Sequence, residues 1–130
     1  MLTEKQKERY SRQILSDSIR EEGQEKLGKT NVLQIGAGGL GSPFSLYLVA
    51  AGIGKLTIID DDIVSLSNLQ RQILYNEDDI GNVKVNVAKN KLSKTNSDVK
   101  IEVFKDFIDK ESIEALVMNV YFLIQKKKTK

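Results

Sequence analysis

Gly36, Gly38 and Gly41 stand in a G-x-G-x-x-G spacing within IGAGGLG, with Gly39 inside the same loop. Glycines so spaced serve a tight turn, a close approach of backbone to phosphate and close packing of a helix on a strand. The N–H groups at the start of the following helix present the positive end of its dipole to an anion. Asp60 lies at the end of the next apolar run, about 20 residues on, where a carboxylate accepts hydrogen bonds from ribose hydroxyls. Downstream come Asn68, Arg71 and Lys84, a polar donor and two cations. Such groups neutralise the charge that develops on phosphate oxygens when a triphosphate is attacked, which favours ATP over a dinucleotide. Two plainer readings stay open here. The glycines serve packing alone, or the loop belongs to a small NAD-binding module and the two cations are solvated surface charges.

The elements that must position these groups follow from periodicity. Asn31–Ile35 (NVLQI), Lys55–Asp60 (KLTIID), Val99–Phe104 and Val120–Ile124 read as strands. Ser42–Ala51 reads as a buried helix closed by Gly52 and Gly54. Lys84–Asn96 reads as a helix with Val85, Ala88 and Leu92 inward and Lys84, Lys89, Lys91 and Lys94 exposed, and Lys110–Met118 as another. Residues 62–79 read as irregular with a helical piece at Asn68–Leu74. Ahead of the first strand, Tyr10, Ile14, Leu15 and Ile19 suit the narrow apolar stripe of a surface helix, interrupted near Ser16–Ser18, and Glu22–Leu27 suits a second short helix stopped by Gly28. Alternating strands and helices imply an α/β fold: a Rossmann-like, doubly wound, mainly parallel sheet with helices on both faces, behind an N-terminal helical arm. The expected division is 1–30 for the arm, 31–124 for an incomplete nucleotide-binding domain and 125–130 for a basic tail.

Composition bounds the chemistry. The chain has 130 residues, 40% of them apolar, enough for one domain with its own core. It contains no His and no Cys, so disulfides, thiolate zinc sites, a cysteine nucleophile and a histidine base are excluded. Of the 20 basic residues four (Lys126, Lys127, Lys128 and Lys130) sit at the extreme C-terminus, and the other sixteen are outnumbered by 18 acidic ones. The body is thus slightly acidic, which argues against a nucleic-acid-binding face. No apolar run reaches membrane-spanning length and the N-terminus has no apolar signal core, so the expectation is a cytoplasmic protein without a membrane partner.

Taken together, RYSRQI (Arg9–Ile14), IGAGGLGS (Ile35–Ser42), LTIIDDDIVSLSNLQRQ (Leu56–Gln72) and the G-x-x-K of Gly81–Lys84 resemble the MoeB/ThiF/HesA family, bacterial relatives of ubiquitin-activating enzymes. The likeness runs in order from about Lys5 to about Met118, and SLSNLQRQ is its most specific part. Within the family the chain looks closest to the molybdopterin-synthase adenylyltransferase, with the thiamine-pathway enzyme a near second. The resemblance implies MgATP-dependent adenylation of the C-terminal Gly-Gly carboxylate of a ubiquitin-fold sulfur-carrier protein. It implies Gly36, Gly38, Gly39 and Gly41 as the nucleotide loop, Asp60 at the ribose, and Asn68, Arg71 and Lys84 at the phosphates. It implies Arg12 as a finger reaching the partner's ATP site across a homodimer, a role suited to a permanently charged, bidentate guanidinium. No side-chain base is required, because the attacking carboxylate is already ionised near neutral pH.

The resemblance also implies an aspartate after the fourth strand as a magnesium ligand. Gln125-Lys126-Lys127-Lys128 occupies that place, and lysines do not supply hard oxygen ligands. The expectation is therefore a C-terminally truncated family member, altered by a frameshift or premature stop after about Met118 or Asn119. The competing expectations are a natural short domain with a basic tail, and a nucleotide-binding or dimerisation fragment without catalytic competence.

Overall fold

A computed structural model describes residues 1–115. The expected fourth strand, the last residues of the helix begun at Lys110 and the basic tail lie outside the described residues.

The arm forms first. Thr3 caps α1 (Glu4–Arg9): its hydroxyl accepts from the Gln6 amide at 3.1 Å, and the Gln6 side chain accepts from the Thr3 amide at 2.9 Å. The chain then turns at Tyr10 into the single turn α2 (Ser11–Ile14), bends, and enters α3 (Arg20–Gly28). The interruption expected near Ser16–Ser18 is present, but the chain also breaks at Tyr10, and the expected surface stripe is corrected, since Tyr10 is buried while Leu15 is exposed. Tertiary docking overrides helical periodicity here. The Tyr10 ring lies against Gly52, where a Cβ would come within 2.5 Å of it. Its hydroxyl donates to Asp98 at 3.2 Å and accepts from the Asn96 amide at 2.8 Å.

Three strands, β1 (Asn31–Ile35), β2 (Lys55–Ile59) and β3 (Lys100–Phe104), pair in parallel in the order β1-β2-β3. Parallel neighbours need crossovers, and these are α4 (Gly41–Ala51) and α5 (Lys84–Thr95). The register aligns Val32 with Leu56 and Ile101, and Gln34 with Ile58 and Val103. Because strand side chains alternate, those six share one face, and α4 and α5 pack there through Val49, Val85, Ala88 and Leu92. Leu56 and Ile58 are wholly buried, each contributing about 2–3 kcal/mol relative to an exposed side chain.

The other face carries Leu33, Thr57, Ile59 and Phe104, and residues 110–115, which are helical, run beside it. These side chains, with Ile108, Ser112 and Ala115, border a cleft of about 450 Å³. The architecture is thus the expected Rossmann-like parallel sheet with helices.

The bounds of β1 match the sequence reading, and α5 ends one residue short of it. Two details of the helices differ. α4 is not buried throughout: Ser42, Ser45 and Val49 face inward, while Phe44 and Tyr47 are exposed. Small hydroxyl residues at its inner positions let the helix lie close to the sheet. The helical piece expected at Asn68–Leu74 is instead a short 3₁₀ turn at Leu66–Asn68, and a second such turn spans Glu77–Asp79.

The second 3₁₀ turn is tied to α5 by Asp79, whose carboxylate accepts from the Asn76 amide at 2.8 Å and pairs with the Lys91 ammonium. Burial pushes the Asp79 carboxyl upward, but Lys91 and the Asn76 N–H outweigh it and hold it below its ordinary 3.8. A depressed carboxylate stabilises the fold above its unfolded pKa and loses that contribution as pH falls through the folded value. Asp79→Asn should therefore lower stability by about 1 kcal/mol at neutral pH. The gap from wild type in thermal melts should close as the pH is taken below 3.8. A gap that stays constant down to strong acid would contradict the assignment.

Candidate functional site

The glycine loop leaves the C-terminal end of β1, the end at which ligands bind in open α/β sheets. The Gly36 amide continues the sheet ladder, donating to the Ile59 carbonyl at 2.8 Å, and Gly36 then adopts φ 93°. That left-handed backbone is cheap only for glycine. Gly41 is required for a different reason: a Cβ there would come within 2.4 Å of the Gly36 carbonyl oxygen. Loop and helix are packed backbone against backbone.

Asp60 closes the loop from the end of β2. Its Oδ2 accepts from the Ala37 amide at 2.8 Å and its Oδ1 from the Asp62 amide at 2.7 Å. Each oxygen keeps a free lone pair for a further donor. Beside Gly36 and Asp60, a cleft of about 160 Å³ runs on to Phe107 and Ile108.

The segment after β2 folds back onto the loop. Asn68 accepts from the Ser65 amide through its side chain at 3.0 Å, and its carbonyl accepts from the Gln72 amide at 2.9 Å. This turn sets Arg71 over the loop, with its Cδ and Nε 3.6 and 3.7 Å from where a Gly39 Cβ would stand. Nη1 of Arg71 donates to the Ser67 carbonyl at 3.0 Å. Gln72 packs against Gly38 in the same way, its amide nitrogen 3.5 Å from the virtual Cβ. The anchor is completed by the Leu74 amide donating to Ser42 Oγ and the Tyr75 hydroxyl donating to the Ala37 carbonyl, both at 2.7 Å. Burial, and then the charges of Asp60, Asp79 and Asp62, raise the Tyr75 phenol well above its ordinary value, so it remains a donor.

Lys84 opens α5 and is 3% exposed, which corrects the expectation of an exposed lysine on that helix. Its backbone amide donates to the Asp62 carbonyl at 3.0 Å, and its ammonium pairs with the Asp62 carboxylate at 3.2 Å. The reason is an antiparallel bridge between Ile63 and Val83, which draws the first turn of α5 under the segment following Asp60. A buried ammonium requires a partner, and Asp62 supplies it.

The structure therefore brings Gly36, Gly38, Gly39, Gly41, Asp60, Asn68, Arg71 and Lys84 to one end of the sheet. Arg12 is not among them. Gln13, its neighbour, donates to the Ala51 carbonyl at 3.0 Å, at the C-terminal end of α4. The glycine loop opens at the other end of that helix, about 16 Å away for 11 residues. Among the described residues there is no cluster of three His, Cys, Asp or Glu side chains fit for a metal. Sequence reasoning missed Gln34, Ser42, Gln72 and Tyr75, all buried against the loop. The visible signals were a glutamine inside the apolar run NVLQI and the places of Ser42 and Gln72 at the ends of IGAGGLGS and LTIIDDDIVSLSNLQRQ.

The described helices include none long and apolar enough to cross a membrane. The sequence profile of the ThiF family matches residues 10–125. The sulfur carrier protein ThiS adenylyltransferase of Escherichia coli K12 is 47% identical over 109 residues, a match spanning 84% of this chain and 43% of that protein. A probable molybdopterin-synthase adenylyltransferase of Porphyra purpurea is 46% identical over 108 residues, spanning 83% and 28%. The crystal structure of E. coli MccB with ATP superposes with a TM-score of 0.72 at 36% identity, covering 78% of this chain and 32% of that one. The chain thus spans less than half the length of each of these proteins. Three parallel strands, a glycine loop closed by an aspartate and a profile match over most of the chain lead to one conclusion: the chain belongs to the ThiF family.

Proposed function

We propose that this chain carries the nucleotide-binding part of a cytoplasmic, ATP-dependent adenylyltransferase acting on the C-terminal Gly-Gly carboxylate of a ubiquitin-fold sulfur-carrier protein. The observation that carries the reading is the convergence of the glycine loop, Asp60 and Arg71 at the C-terminal end of the parallel sheet. ThiS and molybdopterin-synthase adenylyltransferases among the relatives, and a solved relative holding ATP, support the substrate pair.

In this reading the carboxylate oxygen attacks the α-phosphorus, the bond to the bridging oxygen breaks, and pyrophosphate leaves with that electron pair. The chain contributes position and charge rather than a base. Loop amides at Gly38–Gly41 meet the phosphates, and the spare lone pairs of Asp60 receive the ribose hydroxyls. Arg71 already overhangs Gly39, and Asn68 holds the turn that places it there. Lys84 fixes Asp62 beneath the site and supplies a second cation. Arg12, a helix length from its own loop, serves the site of a partner copy in a homodimer. Magnesium accompanies the triphosphate. Among the described residues no group of three His, Cys, Asp or Glu side chains gathers to hold the ion, so they do not make a protein site for it.

The test is ATP–pyrophosphate exchange with magnesium and a panel of Gly-Gly-ended carriers, with ATP binding measured on the same sample. Carrier-dependent exchange supports the reading, and Arg71→Ala should then reduce it by about 100-fold or more. Binding without exchange would leave a nucleotide-binding fragment. Stronger binding of NAD than of ATP would sink the ATP reading altogether.

A further inference from the structure

Gln34 is a polar residue where the sheet calls for an apolar one. It shares the core face of β1 with Val32, aligned with Ile58 and Val103, and is 6% exposed. Its amide nitrogen donates to the Gly36 carbonyl at 2.8 Å and to the Gly41 carbonyl at 3.2 Å, bridging the first and last glycines of the loop. Its own carbonyl oxygen is buried without a partner. A buried orphan acceptor is costly, so the glutamine is kept here for what its amide nitrogen holds rather than for its fit to the core.

The geometry points to Gln34 as a positioning residue for the nucleotide loop, an inference that rests on the reading of the site given above. The peptide joining Gly36 to Ala37 is held at both poles: its carbonyl by Gln34, its N–H by Asp60. A trans peptide is a rigid plane, so fixing the carbonyl inward also fixes the direction from which the N–H meets the Asp60 carboxylate. The next carbonyl, of Ala37, is held by Tyr75. At the far end, the second hydrogen bond of Gln34 holds the Gly36 carbonyl beside the Gly41 backbone, where only glycine fits. The loop is thereby preorganised before any ligand arrives, which lowers the ordering cost of binding.

The test compares wild type with Gln34→Leu and Gln34→Met in the full chain. Both variants remove the two donors and the orphan acceptor while keeping the volume close. Three measurements are made: thermal melting, ATP affinity by calorimetry, and amide hydrogen exchange at Ala37–Gly41 without nucleotide. The expected result is cooperative folding near the wild-type midpoint, faster exchange confined to the loop, and ATP binding about tenfold weaker or more. The proposal is overturned by folded variants that bind ATP within twofold of wild type, or by weaker binding with loop exchange unchanged. It also falls if neither variant folds, because Gln34 would then serve the fold itself. If wild type binds no ATP, the functional reading above fails instead; the exchange measurement still tests the clamp, and unchanged exchange overturns it.

Discussion

Gly41→Ala is expected to lower stability by about 2–3 kcal/mol and to remove measurable ATP binding. The new Cβ would stand 2.4 Å from the Gly36 carbonyl oxygen and 3.1 Å from its carbon, both backbone atoms that cannot rotate away. The Gln34 amide nitrogen, 2.8 Å away, could yield, but only by releasing the two carbonyls it holds. Alanine's better helix propensity offsets about 1 kcal/mol at most. Relief of the clash moves the start of α4 away from β1 and opens the loop. Gly28→Ala is the matched control, because a Cβ there meets nothing within 4 Å. Thermal melts of the two variants, with calorimetric titration of ATP, check the claim. Equal melting of both would show that the loop accommodates a side chain and that the backbone contact is unimportant.

The second large effect is at Asp60. Its carboxylate accepts from the amides of Ala37 and Asp62, and Ala37 is buried, so Asp60→Ala leaves at least one amide without a partner or water. Hydrogen bonds to a charged group are worth about 1.5–3 kcal/mol each, and the stability loss should reach about 2 kcal/mol. Loss of ribose recognition adds to loss of loop geometry, so ATP affinity should fall by about 100-fold. Asp60→Asn retains one acceptor but turns the other into a donor facing an N–H, and should fall between wild type and alanine in both measurements. A folded Asp60→Ala protein with unchanged ATP affinity would place the nucleotide elsewhere.

The division between what was legible in the chain and what was not follows the range of the forces involved. The strand Asn31–Ile35, the glycine turn behind it and α5 are local: a short apolar run, residues permitting a left-handed turn, and a 3.6-residue period are all written within a dozen positions. Asp60 follows from the same unit, because its place at the end of β2 is set by strand length. Tyr10 could not be placed this way. Its partners Asn96 and Asp98 are 86 and 88 residues away, and their hydrogen bonds outweigh the pattern that placed it on the stripe of a surface helix.

Lys84 teaches the same point at the site. By periodicity it belongs to an exposed charged face, yet a single bridge between Ile63 and Val83 carries it inward to Asp62. By itself the sequence determined the fold class, the order of elements and the loop that faces a ligand, since these depend on neighbours along the chain. Only the tertiary structure decided which side chains hold that loop still. Gln34, Ser42, Gln72 and Tyr75 act across elements, and no spacing rule encodes a contact whose partners meet only when the sheet and its helices have closed.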